Sequence, residues 1–153
     1  MQRIGLISDT HDLLRPAAVD FLRGCEHIIH AGDIANVAVL QALATLAPVS
    51  AVRGNNDHAA ALTDLPETLT LQLGELRVYV LHDLKRLAID PAAAGVNVVI
   101  SGHSHKPLVD EREGVLYVNP GSAGRRRFKL PICVGELVID RREVMPRVVE
   151  IDG

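Results

Sequence analysis

Tryptophan is absent from the 153 residues and aromatic side chains make up only 3% of them, so any core must be built from Val, Ile, Leu and Ala. Cysteine is almost absent as well. Cys25 and Cys133 stand far apart and outside any CxxC pair, which argues against a cysteine-rich zinc module. They read as two reduced, buried thiols of a cytoplasmic protein, with a single disulfide as the alternative. No apolar run approaches the roughly 20 residues of a membrane-spanning helix, and Met1–Ser8 shows no basic segment leading into a long apolar stretch, as a signal peptide would. A membrane partner is therefore not expected. Excess positive charge is lacking too: the net charge is −3, with no broad basic stripe and few aromatics for stacking bases. Both features argue against nucleic acid as a partner.

What remains is ample for a folded chain. Hydrophobic residues form 48% of the sequence, which excludes disorder for the whole, and the length fits one domain over residues 1–153. Short apolar runs alternate with polar, Gly-containing turns. Arg3–Ile7 reads as a buried strand leading into Ser8-Asp9-Thr10-His11, and Pro16 opens a helix with Ala17, Ala18, Phe21 and Leu22 at helical spacing. His27–His30 and Val49–Arg53 repeat the strand pattern, with Asn36 capping the helix between them and Pro48 stopping it. The second half reads as a hairpin, Thr68–Leu73 and Leu76–Leu81, then a short helix over Ala88–Ala94 and a strand over Val96–Ile100. The strands Val115–Val118, Ile132–Ile139 and Val144–Ile151 close the chain. Two packed sheets with helices outside account for this order.

Chemistry gathers where these strands end. The first yields Asp9 and His11, the second Asp33, the third Asn55, the hairpin His82, and the strand after it His103 and His105. Seven potential ligands at five strand ends are too many for one metal, and a set of imidazole and oxygen donors suits a divalent transition ion such as Mn, Fe, Ni or Zn. If one Asp bridges, the set serves two ions and leaves room for water and substrate. Gly32, Gly54 and Gly102 precede ligands and would let the backbone turn sharply there. Neutral imidazole is required for ligation, so activity should fall at acid pH.

The series Asp9-Thr10-His11, Gly32-Asp33, Gly54-Asn55-Asn56-Asp57, His82 and Gly102-His103-Ser104-His105 resembles the calcineurin-like metallophosphoesterases, in particular their small bacterial and archaeal phosphodiesterases. The turn Asn119-Pro120-Gly121-Ser122 is similar as well. The resemblance implies an α/β (α+β) fold, a four-layer αββα sandwich with two mixed central sheets flanked by helices. It implies Asp9, His11 and His105 on a first metal, Asn55, His82 and His103 on a second, and Asp33 bridging, with Asp33, Asn55 and His82 as the catalytic positions. The implied activity is hydrolysis of a small phosphodiester or nucleotide-like compound by a metal-bridging hydroxide, with manganese the first choice of ion. A phosphomonoesterase and a non-catalytic interaction module of the same fold are the alternatives, and a homo-oligomer fits the family.

Two positions depart from the family pattern. Asn56 stands where many members have a His that protonates the leaving group, which puts poor leaving groups in doubt, and Asp83 follows His82 where Gly is common. Asn56 is expected beside the substrate, and Asp83 is open as a partner that orients a ligand imidazole. His30 reads equally as a support for the site or a satisfied core residue, Asp57 as a loop anchor ahead of a direct catalytic role, His27 as a strand opener without chemistry, and His58 as loop surface ahead of a substitute for the missing acid. The run Arg125-Arg126-Arg127 with Lys129 reads either as a phosphate clamp, led by Arg125, or as a solvated loop.

Overall fold

A computed structural model describes residues 1–151. Its ten strands form two five-stranded sheets. The first holds β1 (Gln2–Ile7), β2 (His27–His30), β3 (Val49–Ala51), β9 (Cys133–Asp140) and β10 (Glu143–Glu150) in the order β10-β9-β1-β2-β3. The second holds β4 (Thr68–Leu73), β5 (Leu76–Leu81), β6 (Val98–Ile100), β7 (Leu108–Arg112) and β8 (Val115–Asn119) in the order β4-β5-β6-β8-β7. β1, β2 and β3 run parallel, as do β5, β6 and β8, while the remaining strands pair antiparallel at the flanks.

The parallel strands are apolar because both their faces are covered. Ile4, Leu6, Ile29, Val78, Val80, Val98 and Ile100 interdigitate between the sheets. The outer face of the first sheet packs under α1 (Pro16–Leu22), α2 (Val37–Ala44) and α3 (Ala60–Thr63), where Leu22, Leu43 and Leu62 are fully buried. Pro16 opens α1, and the Asn36 side chain caps α2 by accepting from the Ala38 N–H at 2.9 Å. The outer face of the second sheet, with Tyr79, Val99 and Tyr117, is covered by Leu84, Leu87 and Ile89 of the connection from β5 to β6. The sandwich is therefore the one expected, with few helices and two mixed sheets.

The helix expected over Ala88–Ala94 does not form. Its alanines suit a helix, but Pro91 can only open one and Gly95, at φ 73°, ends it, which leaves a single turn closed by the Ala94 N–H to the Asp90 carbonyl. The regular piece of this connection lies earlier, as a 3₁₀ turn over Leu84–Arg86. Like this 3₁₀ turn, α3 and β7 were not expected from the sequence. Cys25 and Cys133 are buried free thiols. Among the described residues no helix is long and apolar enough to cross a membrane.

Candidate metal centre

All seven candidate ligands lie at one end of the sandwich, where the parallel strands of both sheets finish, the usual place for a site in such sheets. The loops are zipped together past the strand ends: the Asp9 N–H donates to the Gly32 carbonyl, and the His11 N–H to the Asp33 carbonyl, each at 3.0 Å. Five of the seven ligand-bearing residues leave the extended conformation for the left-handed one, with φ 53° at Asp9, 45° at His11, 59° at Asp33, 68° at His103 and 61° at His105. Such backbone costs about 1–3 kcal/mol per residue and persists only where the surroundings enforce it. This is also why the strand rule that residues two apart face alike does not apply to His103 and His105.

The side chains fall into two groups. Asp9, His11 and His105 form one, and Asp33, His82 and His103 the other, with one ligand atom of each residue within 4.8 Å of the others in its group. Asp33 Oδ2 lies 3.3 Å from His82 Nε2 and 3.6 Å from His11 Nε2, so it faces both groups. Asn55 Oδ1 joins the second, 2.9 Å from His82 Nε2 and 3.2 Å from His103 Nδ1. The structure thus brings together every residue expected as a ligand.

The donor chemistry fits divalent cations. Asp9 Oδ1, His11 Nε2 and His105 Nδ1 are buried without a hydrogen-bond partner, although burying unpaired polar atoms is costly. The Asn55 amide oxygen sits among acceptors, 3.2 and 3.3 Å from the two Asp33 carboxylate oxygens. Turning the amide over would relieve the crowd, and so would a cation at which all these lone pairs point. His82 is prepared for ligation: its Nδ1–H donates to the Ala31 carbonyl at 2.7 Å, which leaves the Nε2 lone pair facing the site.

The field of the site follows from burial and mutual charge. Burial pushes the Asp9 carboxyl up to about 7, against the pull of His82 and of the Ser8 hydroxyl. Burial alone would raise Asp33 too, but the hydrogen bonds from His82, when its Nε2 is also protonated, and from the Asn56 N–H outweigh it and hold the carboxyl below its usual range. His82 is raised, its burial outweighed by Asp33 and Asp9. Burial lowers His11, and takes His105 down to about 4 with the Arg127 charge adding to it. His11 and His105, lowered in this way, are neutral near pH 7, the state a metal requires, whereas the two carboxylates favour the protonated form of His82 until a cation displaces its proton.

Around the ligands lies a frame that the motifs only partly announce. Asp57, fully buried, accepts four main-chain N–H groups: those of Asp33 at 3.0 Å, Ile34 at 2.7 Å, Ala35 at 2.9 Å and Gly54 at 2.7 Å. Asp9 Oδ2 accepts from the Ser8 hydroxyl and the His103 N–H. Asn119 holds the loop of His103 and His105, donating to the Gly102 carbonyl at 2.9 Å and to Ser104 Oγ at 3.1 Å, and Ser122 Oγ donates to the Asp9 carbonyl. His30 is a fully satisfied buried residue: Nδ1 accepts from the Gly32 N–H, and Nε2 lies 3.1 Å from Thr10 Oγ1. Gly54 and Gly102 are needed for proximity rather than for turning, since a Cβ on Gly54 would strike Asp33 and one on Gly102 would strike Ser8 and Asp9.

The other candidate residues take varied places around the ligand groups. The Asn56 side chain, expected at the substrate, donates to Asp33 Oδ2 at 3.2 Å while its N–H donates to Asp33 Oδ1 at 2.9 Å. Asp83 Oδ1 accepts from the Lys85 N–H, and its Oδ2 is 3.9 Å from His103 Nε2. Arg125 is exposed, and of the arginine run it is Arg127 whose charge reaches His11 and His105. His58 is exposed, and His27, at the end of β2 away from the site, bonds to Ser50 of β3.

Comparison with known proteins agrees with this geometry. Residues 2–142 match the model of the calcineurin-like phosphoesterase superfamily domain. A probable metallophosphoesterase of Methanocaldococcus jannaschii is 37% identical over 153 aligned residues, covering 92% of this chain and 78% of its own. Among solved structures, an archaeal phosphodiesterase superposes with a TM-score of 0.80 at 26% identity, covering 97% of this chain and 100% of its own. The Vps29 protein of Chaetomium thermophilum shares the fold, with a TM-score of 0.78 at 18% identity over 97% of each chain. The chain belongs to the calcineurin-like phosphoesterase superfamily.

Proposed function

We propose that this protein is a two-metal phosphodiesterase acting on small, nucleotide-like phosphodiesters. The observation that carries the reading is the pair of adjacent ligand groups with Asp33 facing both. Asp9, His11 and His105 would hold one divalent ion, Asn55, His82 and His103 the other, and Asp33 both. When bound, such ions supply a water acidic enough to react at neutral pH and take up charge on the phosphoryl oxygens.

The chain's own residues do the rest. Ser8 and the His103 N–H fix the rotation of Asp9, Asn56 fixes Asp33, and Ala31 fixes His82, so the ligands are held before substrate arrives. In the reaction the water oxygen bonds to phosphorus, and the ester P–O bond breaks with its electron pair on the departing oxygen. The products are a phosphomonoester and an alcohol or phenol. Asn56 has no proton to give that oxygen, so solvent supplies it, and esters with good leaving groups are favoured. The same reasoning favours diesters of this kind over alkyl monoesters. Manganese is the ion we assign first, and iron, nickel and zinc also suit a nitrogen and oxygen donor set.

The test is hydrolysis of an aryl phosphodiester and its matched monoester by protein stripped of metal and then resupplied. Activity should return with Mn, favour the diester, and be lost in Asp33→Asn and His82→Ala. A folded protein that binds no ion and hydrolyses neither ester would overturn the reading in favour of an interaction module.

A further inference from the structure

Beside the second ligand group the surface opens into a cavity of about 270 Å³, room for one group of sugar or aryl size rather than a polymer. Asn55, His82 and His103 form its side towards the candidate metal centre, and Arg53, Asp83 and Arg86 stand on its other walls. Arg53 leaves the end of β3 between fully buried Val52 and Gly54, and its N–H donates to the Pro66 carbonyl at 2.8 Å. Arg86 closes the 3₁₀ turn that Asp83 caps.

The two guanidinium groups are uncommitted. Arg3, Arg23, Arg112 and Arg147 are ion-paired, and Arg15 and Arg77 donate to main-chain carbonyls. Among the described residues Arg53 and Arg86 have no such partner, although Arg53 is half-buried. Of the carboxylates on the wall, Asp83 is engaged by the Lys85 N–H and faces His103. Exposed Glu67 is the one other acid there, and among the described residues neither carboxylate forms an ion pair with Arg53 or Arg86, so both guanidinium forks stay open to an anion. A half-desolvated guanidinium without a counter-charge is costly unless an anion completes it.

We propose that this cavity receives one ester arm of the substrate, and that this arm carries an anionic group of its own, a second phosphate, bound by Arg53 and Arg86. The inference rests on the diesterase reading and narrows its substrates to phosphodiesters with a further phosphate on a small arm. Arg fits this task because its planar fork meets phosphate oxygens two at a time.

The test compares two substrates for the metal-loaded protein: a p-nitrophenyl nucleoside phosphodiester, and the same ester with a phosphate on the far hydroxyl of its sugar. The wild type should prefer the phosphorylated ester by about tenfold or more in kcat/KM, mainly through KM, as expected of a charge-assisted hydrogen bond. Arg86→Ala, at an exposed position that tolerates truncation, and Arg53→Ala should each cut that ratio by about tenfold, and Arg142→Ala on the distant β9–β10 turn should leave it intact. Equal rates on both esters in the wild type, or a ratio that survives the double variant, overturn the inference while the diesterase reading stands. Failure to hydrolyse either ester with any divalent ion overturns both.

Discussion

At Asp57 one carboxylate satisfies four main-chain donors from two loops, which makes it the anchor of the Asp33 and Asn55 turns. Removing it leaves those donors buried and unpaired, at about 1–3 kcal/mol for each that water cannot reach. Asp57→Ala should therefore lower the unfolding free energy by several kcal/mol in urea titrations. A change below about 1 kcal/mol would mean that solvent replaces the carboxylate. Gly102 sets a different kind of limit. A methyl group there would displace Ser8 and Asp9, so Gly102→Ala should weaken binding at the Asp9 group by about 10–100-fold, read by metal calorimetry, while the Asp33 group changes less. Equal loss at both groups would show that the two do not respond independently.

At the scale of elements, the site is a set of strand ends held in register by turns behind them. Asn119, at the end of β8, ties down the loop carrying His103 and His105. Asn119→Ala should speed hydrogen exchange at residues 102–106 and lower metal affinity about 10–100-fold, with the β6 and β8 amides unchanged. Most elements were legible because each announces itself locally: buried parallel strands as continuous apolar runs, α1 through Pro16 and α2 through Asn36. β7 was not, because Leu108–Arg112 is an edge strand with only Leu108 and Val109 apolar, and Val109 is 50% exposed. It exists through pairing with β8, which a local pattern does not record. The segment Ala88–Ala94 misled for the opposite reason, since favourable alanines say nothing of the short span between Pro91 and Gly95.

At the scale of the molecule, the centre joins the two sheets. Asp9, His11, Asp33 and Asn55 follow strands of the first, and His82, His103 and His105 strands of the second. Ions bound there would cross-link the sandwich, and binding to the folded state alone stabilises it by about 2.7 kcal/mol at a hundredfold excess over Kd. Chelation should accordingly lower Tm reversibly, and an unchanged Tm would show that the folded protein holds no ion under those conditions. Acid should destabilise the metal-free protein through His30, which burial holds down to about 3 from an ordinary 6.5. The unfolded chain binds that proton first, so stability is undiminished above about pH 6.5 and falls by about 1.4 kcal/mol per unit as pH drops towards 3. Unfolding titrations of His30→Asn should show that slope reduced by one proton.

The sequence by itself determined the apolar strands and which residues stand at their ends, because strand burial and ligand chemistry are written in neighbouring positions. The tertiary structure alone decided which groups meet. It set Asn56 against Asp33 and Asp33 facing both ligand groups, and it brought Arg53 and Arg86 to the lining of one cavity. Those encounters join residues tens of positions apart, and they depend on how two twisted sheets pack and where their loops are forced into left-handed backbone, which no local pattern encodes.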